Sequence, residues 1–164
     1  MTAELATMFC WLGLISVAAF SDWRHFRIPN ICPILLILLF PISKAYIGLD
    51  AGWLSNLGHF GIALLAGIIL FGLGWIGGGD AKLYAAIALW FDLQQAISLL
   101  LAVVLLGGVL AVCYLATRKY RRRRKAASAK QKGSVQETRI PYGVAITLGA
   151  IYTCLLYTSD AADE

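Results

Sequence analysis

Charge is scarce in this chain. Only 14% of its 164 residues are Asp, Glu, Lys or Arg, while 60% are hydrophobic. Ordinary soluble proteins use roughly 25% charged residues, so this scarcity excludes a typical soluble domain. Alternating polarity over segments of about 10 residues, the mark of an outer-membrane barrel, is missing too. Cysteine is limited to Cys10, Cys32, Cys113 and Cys154, all in apolar stretches and none spaced as C-x-x-C. They read as small buried hydrophobes in preference to disulfide or zinc ligands. Neither of the two histidines, His25 and His59, stands in a metal-ligand spacing, and no local motif implies a metal. No internal repeat is evident.

What the chain does have is long apolar runs, and they predict an all-α polytopic membrane protein with six transmembrane helices. The first run covers residues 5–20. A secretory signal would carry a basic stretch ahead of it, whereas Glu4 is the only charge there, so the run reads as a retained helix. A polar stretch follows, Ser21-Asp22-Trp23-Arg24-His25-Phe26-Arg27-Ile28-Pro29-Asn30, whose proline can start the next helix. The second run spans residues 31–47, with Pro33 in its first turn and Pro41 as a kink point. The third spans 57–76 and is rich in glycine, which permits close helix contact in lipid. Gly77 to Gly79 are expected to break it. A fourth segment, 80–91, is short: about 12 residues cover roughly 18 Å of a hydrocarbon core about 30 Å thick. If its far end reaches the opposite interface near Asp92, its Asp80 end lies below the near surface. A fifth run covers 96–116, a heavily basic loop follows at 118–139, and the sixth run begins at Ile140.

Six spans place the first, third and fifth connections on one side. Those connections hold Arg24, Arg27, Lys82 and every basic residue after position 117, leaving Lys44 alone opposite, or thirteen of the 14 Lys and Arg on one face. Cytoplasmic loops carry such an excess. That predicts both termini outside, with Asp22 and Asp80 on the cytoplasmic side and Asp50 and Asp92 across the membrane. The cluster at 118–125 is expected to lie on anionic lipid as a topology anchor, and no nucleic-acid partner is expected. The organisation so read is a six-helix domain over residues 1–153 and a tail over 154–164. The tail, Cys154-Leu155-Leu156-Tyr157-Thr158-Ser159-Asp160-Ala161-Ala162-Asp163-Glu164, resembles the translation of a transposase adapter used in sequencing libraries. It is read as non-native, with a genuine polar C-terminus as the alternative.

Two acids stand out: Asp22 after the first run and Asp80 after the glycines. An ionisable residue at the mouth of a membrane segment is expensive and is a functional-site candidate by default. Two carboxyls a few ångströms apart cannot both ionise easily and come to share one proton. Such a pair can activate water with its ionised member and polarise a carbonyl with its protonated one, titrating as a unit. Each acid also has a structural alternative. Asp80 could simply cap a helix. Asp22, at a helix C-terminus where the dipole disfavours it, could pair with Arg24 or Arg27.

Asp22-Trp23-Arg24 with Ile28-Pro29-Asn30, and Gly77-Gly78-Gly79-Asp80-Ala81-Lys82-Leu83, together resemble the paired motifs of the type IV prepilin peptidases, GxGD-type intramembrane aspartyl proteases. Pro141-Tyr142-Gly143-Val144-Ala145-Ile146 is similar to the pattern opening their last helix. The resemblance implies that Asp22 and Asp80 are the catalytic pair. It makes Arg24, Ile28, Pro29, Asn30, Gly77, Gly79, Lys82, Pro141, Tyr142 and Gly143 supporting positions. It further implies an endopeptidase of the bacterial inner membrane that needs no cofactor. Its expected substrates are prepilins or pseudopilins, cut between a basic leader and an N-terminal transmembrane helix at the cytoplasmic face. The chain's size resembles the short peptidases of tight-adherence (Flp-type) pilus systems. It lacks the paired-cysteine segment of the long members that also methylate the new terminus. A proton-coupled transporter would instead place its acids near mid-membrane and show inverted repeats. A structural membrane subunit would tolerate changes at both.

Overall fold

In a computed structural model, residues 2–47, 52–127 and 142–160 are described, with side chains for residues 5–45, 52–117 and 142–156. Six α-helices and one 3₁₀ turn account for nearly all of them. These are α1 (Thr2–His25), α2 (Ile31–Ile47), α3 (Trp53–Gly72), α4 (Gly78–Ala88), the 3₁₀ turn (Leu93–Gln95), α5 (Ala96–Ala127) and α6 (Tyr142–Asp160). The expected all-α membrane class holds. Spans within α1, α3 and the segment ending in α5, namely Leu5–His25, Trp53–Gly72 and Leu93–Thr117, are long and apolar enough to cross a membrane. The parts Ile31–Ala45 and Tyr142–Leu156 form shorter apolar helices.

α4 is the centre of the bundle. It has only 11 residues, about 16 Å at 1.5 Å per residue. Ala81, Leu83, Ala85, Ala86, Ile87, Ala88 and Leu89 are all buried, so this helix is apolar around most of its circumference, as an enclosed helix should be. α2, α3 and α6 each lie against it, α1 against α2 and α6, and α5 against α6. Close contacts are made possible by small residues. A Cβ built on Gly67 of α3 would stand 3.1 Å from the Ala81 Cβ, and one on Gly149 of α6 would stand 2.9 Å from the Val103 backbone nitrogen. Away from the glycine end, Trp90 sends its Nε1–H to the Leu36 carbonyl of α2 at 3.2 Å and meets Phe40 edge-on at 5.8 Å between centroids. His59, only 2% exposed, shares a hydrogen bond between its Nδ1 and the Phe91 carbonyl oxygen at 3.0 Å.

Several helix ends differ from expectation, each for a local reason. α1 continues to His25, so Asp22 sits in its last turn and not in a loop. Phe26 then takes a left-handed conformation (φ 52°), ending the helix while its N–H still reaches the Asp22 carbonyl at 2.8 Å. α3 stops at Gly72. Gly74 adopts φ 75° and the Trp75 N–H reaches back to the Leu70 carbonyl at 3.0 Å, the six-to-one bond of a Schellman ending. Gly78 and Gly79 do not break structure; they form the first turn of α4. α5 runs past residue 116 to Ala127 because Lys and Arg are good helix formers and do not by themselves end a helix. Residues 128–139 of the expected basic loop, together with Ile140 and Pro141 at the start of the expected sixth run, lie outside the described residues.

Candidate functional site

The site is assembled where α1 ends and where α2, α4 and α6 begin. Asp22, in the last turn of α1, is 5% exposed. Its Oδ2 accepts the Gly143 N–H at 2.7 Å, with the Val144 N–H beside it. Those N–H groups belong to the first turn of α6, where a helix has no carbonyl partners of its own to offer and where the dipole favours an anion. The difficulty of a carboxylate at the C-terminus of α1 is therefore met by the N-terminus of α6. Neither Arg24 nor Arg27 forms an ion pair with Asp22 among the described residues; both are exposed.

Asp80 is half-buried at the third position of α4. Gly77, with extended φ −73° and ψ 144°, is the residue that caps the helix. Asp80 is thus not the cap; its carboxylate turns back toward Gly77, in the manner of the returning residue of a capping box. The fit is close, because a Cβ on Gly77 would lie 2.8 Å from Asp80 Oδ2. On the next residue but one, a Cβ on Gly79 would be 3.4 Å from the Ile28 Cβ.

Ile28 joins the two acids. Besides facing Gly79, its Cδ1 lies 3.0 Å from where a Gly143 Cβ would stand, and that same position is 2.9 Å from Asp22 Oδ2. A single half-buried side chain from the α1–α2 connection is therefore wedged between the glycine next to Asp80 and the glycine bonded to Asp22. Asp22, against Gly143, and Asp80, next to Gly79 in the chain, thus flank the same side chain. Lys82 ties the same connection to α4, its ammonium donating to the Asn30 Oδ1 at 3.4 Å. Ser21 Oγ donates to the Arg27 carbonyl at 2.9 Å, shaping the turn that brings Ile28 inward.

Of the supporting residues named from sequence, Ile28, Gly77, Gly79, Asn30, Lys82 and Gly143 come together around the acids. Pro29 is half-buried in the connection, Arg24 is exposed near the end of α1, and Tyr142 is exposed at the start of α6. Phe26 and Phe71 were not anticipated. The Phe71 ring covers Gly78, with Cε2 3.3 Å from the position of its absent Cβ. An aromatic residue following histidine carries no sequence signal for a left-handed conformation, so Phe26 could not have been found that way.

This bundle, with two carboxylates drawn to one end of an apolar helical core, is a membrane protein with a candidate hydrolytic centre. The family model of the type IV leader peptidases matches residues 7–112, well over half of the chain, and the protein belongs to that family. It is therefore a membrane peptidase in general class. No curated protein and no solved structure gives a significant match. The matched stretch takes in Asp22, Ile28 and the Gly77 to Leu83 motif but ends before α6.

Proposed function

We propose that the protein is an aspartyl endopeptidase embedded in the bacterial inner membrane. Its substrates are prepilin-like proteins, from which it removes the basic leader ahead of an apolar N-terminal helix at the cytoplasmic face. The observation that carries this reading is the convergence of Asp22 and Asp80 about Ile28, on helix ends that the charge distribution assigns to the cytoplasmic side.

The chemistry follows from one proton shared by the pair. The ionised carboxylate takes a proton from water as its oxygen attacks the peptide carbonyl, and the protonated carboxyl gives its proton to the carbonyl oxygen. The carboxyl that took the water's proton then passes it to the leaving nitrogen as the C–N bond breaks, while one hydroxyl of the tetrahedral intermediate returns its proton to the other carboxylate. One water is consumed, an acid and an amine are released, and the pair again holds one proton. The two titrate jointly.

Co-expression with a candidate prepilin tests the assignment. Asp22→Asn and Asp80→Asn are each expected to insert and fold normally while leaving the precursor uncut on immunoblots. Persistent cleavage by either variant would remove the aspartyl mechanism. A transporter reading draws no support from the position of the acids, which lie at helix ends and not in mid-helix.

A further inference from the structure

We infer that the first turn of α6 is part of the catalytic apparatus, and that Gly143 is a positioning residue for Asp22. This inference rests on the aspartyl reading above and adds to it an element that the family match does not reach. Three observations meet at Gly143. Its N–H donates to Asp22 Oδ2 at 2.7 Å, a short bond across 121 positions of sequence. The residue is buried, so water does not compete for that N–H. The space a side chain would occupy is already filled, by Asp22 Oδ2 at 2.9 Å, Asp22 Cβ at 3.0 Å and Ile28 Cδ1 at 3.0 Å.

Glycine thus serves twice here. It presents an N–H, as any residue but proline would, and it allows the carboxylate to approach the helix end with no Cβ between. The α6 turn is itself anchored to α1. Thr147 Oγ1 donates to the Ile15 carbonyl at 3.2 Å and is 2.9 Å from the Gly143 carbonyl, one turn earlier. Asp22 and Thr147 therefore fasten α6 to α1 at two heights, and the angle of the Asp22 carboxylate is set by the position of α6. Hydrogen bonds to an ionised group are the stronger kind, and with Oδ2 held this way the orientation of the carboxylate plane is fixed.

The test replaces the backbone amide at position 143 by an ester, through incorporation of glycolic acid, so that the N–H is deleted and no side chain is added. Gly143→Ala is the second variant, and Gly13→Ala, where a Cβ would meet nothing within 4 Å, is the control. Each protein is purified in detergent, its folded fraction is quantified by size exclusion, and kcat and KM are measured separately on a purified prepilin. Loss of one hydrogen bond to a charged group corresponds to roughly 10- to 100-fold in kcat. That loss, with KM unchanged in the ester variant and wild-type constants for Gly13→Ala, is the expected result. A kcat within about threefold of wild type in both position-143 variants overturns the positioning role, as does a change confined to KM. Asp22→Asn and Asp80→Asn are assayed alongside. If either cleaves, the aspartyl reading itself falls; if both are inactive while the ester enzyme is fully active, only the role of α6 falls.

Discussion

Gly77 shows how much of this site depends on hydrogen standing where a methyl group would be. Its missing Cβ leaves the 2.8 Å gap into which Asp80 Oδ2 turns. Gly77→Ala is expected to push the carboxylate aside and lower cleavage about 100-fold, the scale of a displacement near 1 Å at a reacting group, while helix content by circular dichroism stays unchanged. Sequence made both acids legible, because a carboxylate at the end of an apolar run has few inexpensive explanations. It also made the glycines legible as places of close approach. It could not say what approaches. Gly77 meets a side chain three residues on, whereas Gly143 meets one 121 positions away, and no local pattern encodes the second. The structural alternative, that Asp80 caps its helix, misses by three residues: Gly77 takes the extended cap conformation itself, with Asp80 inside the first turn.

At the level of helices, apolar runs marked out all six α-helices, though not the 3₁₀ turn, and residue chemistry blurred their ends. α2 has the expected bounds because Pro29 and Asn30 introduce it. α4 begins earlier than expected because glycine, disfavoured inside a helix, is tolerated in its first turn once Asp80 and Phe71 hold it. The contact of α5 with α6 is the most sensitive to size. A Cβ on Gly149 would come within 2.6 Å of Val103 Cγ2 and 3.0 Å of its Cα, and the Cα cannot swing aside as a side chain can. Gly149→Ala is therefore expected to destabilise by about 1–3 kcal/mol, read as a lower midpoint of thermal unfolding in detergent. Gly61→Ala and Gly108→Ala, which face open space, are expected to leave the midpoint unaltered or raise it slightly through better helix propensity.

For the molecule as a whole, the sequence-level prediction concerns direction in the membrane. The expectation that six spans put thirteen of the 14 Lys and Arg on one side predicts that fusions truncated after residue 50 support alkaline phosphatase activity. Fusions after residue 133 are expected to support fluorescence of a cytoplasmic reporter and no phosphatase activity. The opposite pattern would move the acids to the far face and away from any cytoplasmic leader. Overall architecture was readable from composition because so apolar a chain has few ways to satisfy its backbone in lipid other than helices. The assembly of the site was not, since it is made by contacts between helix ends that are remote in sequence. The bond from Gly143 to Asp22 also imposes an order in time. A ribosome delivers Gly143 121 residues after Asp22, so on the aspartyl reading the site stays incomplete until α6 has been made and has docked against α1.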